Sequence, residues 1–483
     1  MLEIIIAPIR LIRLRYIPLL LIYFAYGASS FIGIAESFWF KDELELDISY
    51  IVILNAWIIV PWTSKMIFGQ VVDSIKIWGS NRKIYIFIGA VLMGIATILT
   101  ILVAKGIFPT KEYNFYLYSF ASVLAMVGFV IQDVVADTMT TEVVDRSQTQ
   151  EKIKQELAVV QILARLSLGL GFLIMPPLGG YLFNGDNYLD IFTLSLFVPI
   201  VSIIGVLFID LDEVESSPIN KDIIFGGLAL AISTILIGYS NFAYSQELIF
   251  LLSFVIVLYF LNEMIQDLDK DTIHNIKMVM IIIFVYQAIP HSDEIIKLWQ
   301  MNVFDFKKEF FIKISLIGGV LGFLGLWFST KYIIRQSINE KSIGKVLLWL
   351  VAISTILSIS NLLIHYKVFN IDAQSIFLIA TTLSAPFKYF AMVLMLTLIA
   401  IHAPKGKTGT WFALMTSFIN IAIQAGGLFN KYLINTLHIT KENYSEFGTF
   451  LWVVTIVGSI IPIITILIFD KKIKIDKKTS LTP

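Results

Sequence analysis

Residues 61–82 read PWTSKMIFGQVVDSIKIWGSNR. Lys65 stands inside an apolar run that begins near residue 48. The run closes on Gly69 and Asp73, and a polar loop with Lys76, Asn81, Arg82 and Lys83 follows. A new apolar run starts at Tyr85. Two long apolar runs joined by a short basic hairpin predict two membrane helices whose connection stays on the inner face. Lys65 is then one of two things: a cation held inside the membrane for a purpose, or a lysine whose ammonium snorkels to the interface. Asp73 and Arg82, at the mouth of the hairpin, are candidate gate residues.

Composition extends this reading to the whole chain. Of 483 residues 57% are hydrophobic and 15% charged, against about 45–50% and about 25% in soluble domains. Formal net charge is zero, and no basic stretch interleaved with aromatics suggests nucleic acid. Cysteine is absent, which excludes disulfides, thiol catalysis and cysteine-bound metal. Segment 1–15 carries Arg10, Arg13 and Arg15 without a small-residue cleavage site before the first long run. It is expected as an uncleaved segment on the cytoplasmic surface.

Helical spans are predicted near 16–38, 48–71, 84–104, 113–138, 156–183, 189–209, 222–241, 246–265, 273–293, 309–333, 343–365, 374–402, 408–435 and 447–469. That is about fourteen spans, with twelve as the alternative. The fold class is all-α and polytopic. Six spans form an N-terminal bundle (16–209), a linker (210–272) holds two additional plain helices, and six more form a C-terminal bundle (273–469). A basic cytoplasmic tail follows (470–483). Lysine and arginine concentrate in loops assigned inside, which puts both termini in the cytoplasm of a cell whose inner (plasma) membrane the chain crosses. Two six-span halves suit a transporter with its site at the midplane between them. Spans five and nine are expected to be interrupted, at Gly169–Gly171 with Pro176–Pro177 and at Pro290. For each of the two, taken singly, a kink with tight packing is the preferred reading over a broken helix that lines a cavity.

Charges inside spans mark the candidate site, because each is costly there. Lys388, in SAPFKYFAMVLM, lies deep in its span. It is the first candidate for neutralising an anionic substrate, or else a partner in a structural salt bridge. Asp133 and Asp137, in QDVVADTMTTEVVDR, are four residues apart and share a helix face. Close carboxylates resist simultaneous ionisation, which suits proton coupling. With Lys65 and Arg165 at similar depth, the same pair serves equally well as a gate network. Glu142 and Arg146 continue this segment into the loop and are candidate anchors of a closed gate. Glu36, near the outer end of span one, is expected to be solvated. The five histidines have no metal-ligand spacing, and no nucleophile elbow or phosphate-binding loop occurs. The chain is therefore not read as an enzyme or an ATP-driven pump, and neither cofactor nor metal is expected.

Four segments carry a family resemblance: PWTSK-x3-G-x3-D with WGSNRK, QDVVADTMTTEVVDR, FVYQAIPHSDE and HAPKGKTGTWFALMTSFIN. In this order they resemble the folate–biopterin transporter family of the major facilitator superfamily. The chain departs from that pattern at Met66, at Val72 and at Asn81–Arg82–Lys83. The resemblance implies proton-coupled import (symport) of folate, biopterin or a related pteridine; a monomer is expected. It also implies that Lys65, Asp133, Asp137 and Arg165 are sensitive positions. The partners are then a small folate or pterin substrate, protons and the lipid bilayer, without nucleic acid. Folate is a pterin joined to a dicarboxylate tail. Lys388, Arg165 and Lys65 are the cations available for the tail, Trp57, Trp62, Phe387 and Tyr389 the stacking faces. Alternatives are a same-fold carrier of a nucleotide, S-adenosylmethionine or a peptidoglycan fragment, or a non-transporting receptor or assembly protein.

Overall fold

The computed structural model describes residues 7–44, 58, 60–62, 64–80, 82–107, 110–145, 147–208, 216–239, 244–290, 293–306, 308–337, 340–368, 372–404, 407–440 and 443–470. Trp57, Arg146, His291 and the tail 471–483 lie outside the described residues. The helices are α1 (Ala7–Leu11), α2 (Ile17–Ala28), α3 (Gly33–Asp42), α4 (Lys65–Ser74), α5 (Lys83–Ala104), α6 (Lys111–Glu142), α7 (Gln150–Leu182), α8 (Tyr188–Leu194), α9 (Phe197–Leu207), α10 (Lys221–Tyr239), α11 (Ser245–Ile265), α12 (Lys270–Gln287), α13 (Asp293–Phe304), α14 (Lys308–Ser337), α15 (Glu340–His365), α16 (Ala373–Ile401), α17 (Thr408–Thr436) and α18 (Phe447–Asp470). Among the described residues the only β-bridge pairs Ile77 with Ser80 across the hairpin. There Trp78 and Gly79 both take positive φ, as a two-residue turn demands.

Ten helical stretches among the described residues are long and apolar enough to cross a membrane. Four of the fourteen expected spans are not among these ten. Half of 48–71 lies outside the described residues, and 222–241 is the helix α10. The span near 273–293 ends early, at Gln287, ahead of non-helical Pro290. In α14 the shorter stretch Leu316–Thr330 is the apolar part, with charges on either side. The interruption at Pro290 is thus present, while span five follows the tight-packing reading: α7 runs unbroken through Pro176 and Pro177. Its glycines serve close packing: a Cβ on Gly171 would lie 2.7 Å from the Phe24 carbonyl oxygen of α2.

Packing is densest at one end. Residues 130–141 of α6, 156–166 of α7, 393–400 of α16 and 408–415 of α17 are all buried, while 170–182 and 372–389 are mostly exposed or half-buried. The buried segments adjoin the loops 75–82, 143–149 and 402–407. Here α4 packs on α17, and α7 on α14 and α16. The segment before α2 is fixed at this end as well. Arg13 and Arg15 both pair with Glu156 of α7, and the Tyr16 hydroxyl donates to the same carboxylate. The two plain helices are not bystanders. α10 packs on α4 and α11 on α17, with a Glu247–Lys431 ion pair at 2.7 Å and a Phe254–Phe284–Phe418 ring cluster.

Candidate functional site

The helix α6 brings Asp133 and Asp137 to one face, one turn apart. The opening residue of α4, Lys65, reaches both: its Nζ donates to Asp133 Oδ2 at 2.5 Å and to Asp137 Oδ2 at 3.4 Å. From α7, Arg165 Nη2 donates to Asp137 Oδ1 at 3.1 Å, and the Tyr23 hydroxyl of α2 donates to the same oxygen at 2.8 Å. All four charges are buried, with exposures of 1% for Lys65, 8% for Asp133, 1% for Asp137 and 7% for Arg165. Two cations and two anions therefore neutralise one another in a buried setting. Removing one member of such a buried pair costs about 3–5 kcal/mol, because its partner is left uncompensated. Aromatic rings line the cations: Trp62 lies 5.7 Å from the Lys65 ammonium and Tyr23 5.0 Å from the Arg165 guanidinium. Trp62 in turn stacks on Tyr26. Among the described residues the buried Arg165 Nε has no hydrogen-bond partner.

A second constellation lies at the loop end of α4. Asp73 accepts from the Gly409 N–H at 3.1 Å, the Thr410 N–H at 2.7 Å and the Thr410 hydroxyl at 2.9 Å. The residue preceding α17, Lys407, makes no side-chain cap of its own. Asp73 thus supplies from another helix the acceptor that the first turn of α17 needs. Arg82 Nη2 donates to Asp73 at 3.3 Å, and Nε and Nη2 grip the Glu142 carboxylate at 2.6–3.1 Å. Its Nη1 donates to the Val72 carbonyl oxygen at 2.8 Å. The helices meet through glycine: a Cβ on Gly69 would lie 2.8 Å from the Gly409 carbonyl oxygen, and one on Gly409 2.9 Å from Thr138 Oγ1.

Most of the sequence candidates converge. Lys65, Arg165, Asp133 and Asp137 form one cluster, and Asp73, Arg82 and Glu142 form the second. Arg146 lies outside the described residues. The expectation that Lys388 is a buried cation is corrected, because its side chain is exposed. Depth along a span does not fix which way a residue faces, and the buried run of α16 begins only at Phe390. Glu36 is corrected in the opposite sense. Rather than standing in solvent, it accepts a hydrogen bond from Tyr118 and lines a cavity. Tyr23, Gly409 and Thr410 escaped the sequence reading. The signal for the last two was a helix start, KTGTWFALM, with no acidic cap nearby in sequence.

A family model described as the BT1 family matches residues 27–482. A folate-biopterin transporter from Synechocystis sp. (strain ATCC 27184 / PCC 6803 / Kazusa) is 22% identical over 457 residues, covering 92% of this chain and 80% of that protein. A protein of Arabidopsis thaliana named "Probable folate-biopterin transporter 4" is 28% identical over 202 residues, covering 42% of this chain and 38% of that protein. In that second match the chain spans well under half of its relative's length. Among solved structures, the major facilitator superfamily proton:xylose symporter XylE, bound to 6-bromo-6-deoxy-D-glucose, superposes with a TM-score of 0.60 at 10% identity, covering 95% of each chain. Helices, spans and fold are those of a membrane carrier rather than an enzyme. The chain belongs to the BT1 family, the folate–biopterin transporter family that its motifs resemble.

Proposed function

We propose that this carrier imports folate, biopterin or a related pteridine together with protons, by alternating access. The observation that carries the reading is Lys65 shared between Asp133 and Asp137 at 2.5 and 3.4 Å. Protonating one of these acids leaves a surplus cation in a buried site. The cluster must then rearrange or admit an anion, and this ties proton entry to conformation. Movement has a natural seam where Asp73 caps α17. The halves 16–209 and 273–469 rock about the α4–α17 and α7–α14 contacts, with 210–272 between them. In the conformation described the Asp73 end is closed, and it is the cytoplasmic end, with both termini on that side of the plasma membrane. The carrier works as a monomer in the bilayer.

The substrate class rests on the names of the relatives and on chemistry. Only two cations are buried in the cluster, and both already face carboxylates. That suits a mono- or dicarboxylate released into the site as pairs exchange, and disfavours a nucleotide with several phosphate charges. The test is uptake of labelled folate and of a small pterin in cells lacking their own carriers. It is run at about pH 5.5 and about pH 7.5 outside, on either side of neutrality, with and without a protonophore. Greater uptake at the lower pH, collapsed by protonophore, supports the reading. Absence of uptake by protein shown to reach the membrane removes the substrate assignment.

A further inference from the structure

A cavity of about 340 Å³ lies among α3 with the turn before it, α5, α6, α8 and α9, with Glu36 of α3 in its wall. That volume falls within the range of small-molecule sites, about 300–1,000 Å³. Its polar side chains are mostly hydroxyls. The hydroxyls of Ser29, Thr97, Thr100 and Ser122 each donate to a carbonyl three or four residues earlier, as such hydroxyls in helices commonly do. Only their lone pairs remain for a ligand. The Tyr118 hydroxyl donates to Glu36 Oε1, so its hydrogen is committed as well. The wall is thus made of acceptors and one carboxylate, between apolar faces that include Phe129 and Phe192.

We infer that this cavity is a subsite for the pterin ring, with the Glu36 carboxylate receiving the 2-amino and N3–H donors of the 2-amino-4-oxo edge. The inference rests on the reading that the substrate is a pteridine. A donor-rich planar edge is what an acceptor-lined slot with aromatic walls selects, and a carboxylate matches two parallel N–H groups in a fork. Asp133 and Asp137, the other acids of this half that could read such an edge, are already bound to Lys65, Arg165 and Tyr23.

The test compares pterin with lumazine, which carries a 2-oxo group where pterin has the 2-amino group, on the purified full chain. Wild-type protein is expected to prefer pterin by at least about 10-fold, since a misplaced acceptor against a carboxylate forfeits a charged hydrogen bond. Glu36→Gln, whose amide also donates, is expected to bring the two ligands within about 3-fold. A second measurement does not depend on that variant folding. The chain lacks cysteine, so a single cysteine at Ala125, in the cavity wall, reports occupancy through its rate of thiol labelling. Pterin is expected to slow that labelling at least about 10-fold while lumazine at the same concentration does not. Pterin that binds without protecting position 125, or a preference unchanged by Glu36→Gln, overturns the subsite and leaves the pteridine reading standing. Wild-type protein that binds neither folate nor pterin removes that reading, and the subsite with it.

Discussion

Asp73 and Thr410 are joined by two hydrogen bonds, at 2.7 and 2.9 Å, across a sequence separation of 337 residues. The carboxylate at the end of α4 is the cap of α17, so α4 and α17 are tied by a helix terminus that borrows its acceptor from another helix. Such a latch opens as a unit: when α4 and α17 part, the first turn of α17 loses its acceptor and Arg82 one of its carboxylates. Charge-assisted hydrogen bonds of this kind contribute about 1.5–3 kcal/mol. Asp73→Ala is expected to move the closed-to-open ratio by about 2 kcal/mol, or about 30-fold. The chain has no native cysteine, so the measurement is thiol labelling of a single cysteine at buried Thr141. Faster labelling in Asp73→Ala than in its parent is the expected outcome. Equal rates would mean that Asp73 contributes nothing to closure.

Gly69 faces the Gly409 carbonyl oxygen and the Thr410 Cα, and an added Cβ would lie 2.8 and 2.9 Å from them. Both are backbone or backbone-adjacent atoms that cannot swing aside. Gly69→Ala is therefore expected to wedge α4 from α17, and Gly69→Val to do so further. Uptake should fall in that order, while surface expression and binding from the outside persist. Restoration of uptake on lowering bulk elsewhere in this contact, for instance by Ala413→Gly, would confirm that the wedge acts locally. Ala413 Cβ is a third neighbour of that added carbon, at 2.9 Å, and the one that belongs to a side chain.

Arg82 holds Glu142 through two nitrogens and reaches Asp73 and the Val72 carbonyl as well. A lysine keeps the charge but not the fork. Arg82→Lys is expected to lose most of the transport rate, close to the loss in Arg82→Ala, with substrate affinity measured from the outside changed less than about 3-fold. A lysine variant with full rate would show that charge alone suffices at this position.

The sequence exposed the cluster because charge inside an apolar run is rare and costly, so Lys65, Asp133, Asp137 and Arg165 stood out by composition alone. Their meeting followed from similar depth in neighbouring spans. What depth could not provide was azimuth. Lys388 is deep but exposed, whereas Glu36 is shallow but walled in by Tyr118. The Asp73 cap was hidden for another reason: capping is ordinarily local, within three residues, and here the acceptor comes from a distant helix. In α7 the glycines were a better guide than the prolines: Pro176 and Pro177 stay within a continuous helix held against α2 by Gly27 and Gly171. The pair of plain helices gave no sign in sequence of where they dock, and α10 and α11 turn out to lean on the two helices of the latch.

The two acids of the cluster are not equivalent, and this separates their roles. Asp137 accepts from three donors, Tyr23, Arg165 and Lys65, whereas Asp133 accepts from Lys65. Protonating Asp137 leaves both cations short of their shared counter-ion. Protonating Asp133 still leaves Asp137 to balance Lys65 or Arg165. Asp133 also borders a small cavity shared with Tyr26 and Phe129, with room for roughly one water. Asp133 is therefore the acid expected to take and release the proton. Asp133→Asn, fixed in a neutral form, should abolish concentrative uptake and its dependence on external pH while preserving exchange of preloaded substrate. Asp137→Asn should impair both activities and lower thermal stability, by an amount on the order of the 3–5 kcal/mol for stranding a buried charge. Uptake, exchange and melting temperature measured on both variants decide the matter. Exchange that survives in Asp137→Asn but fails in Asp133→Asn would reverse the assignment and make Asp137 the coupling acid.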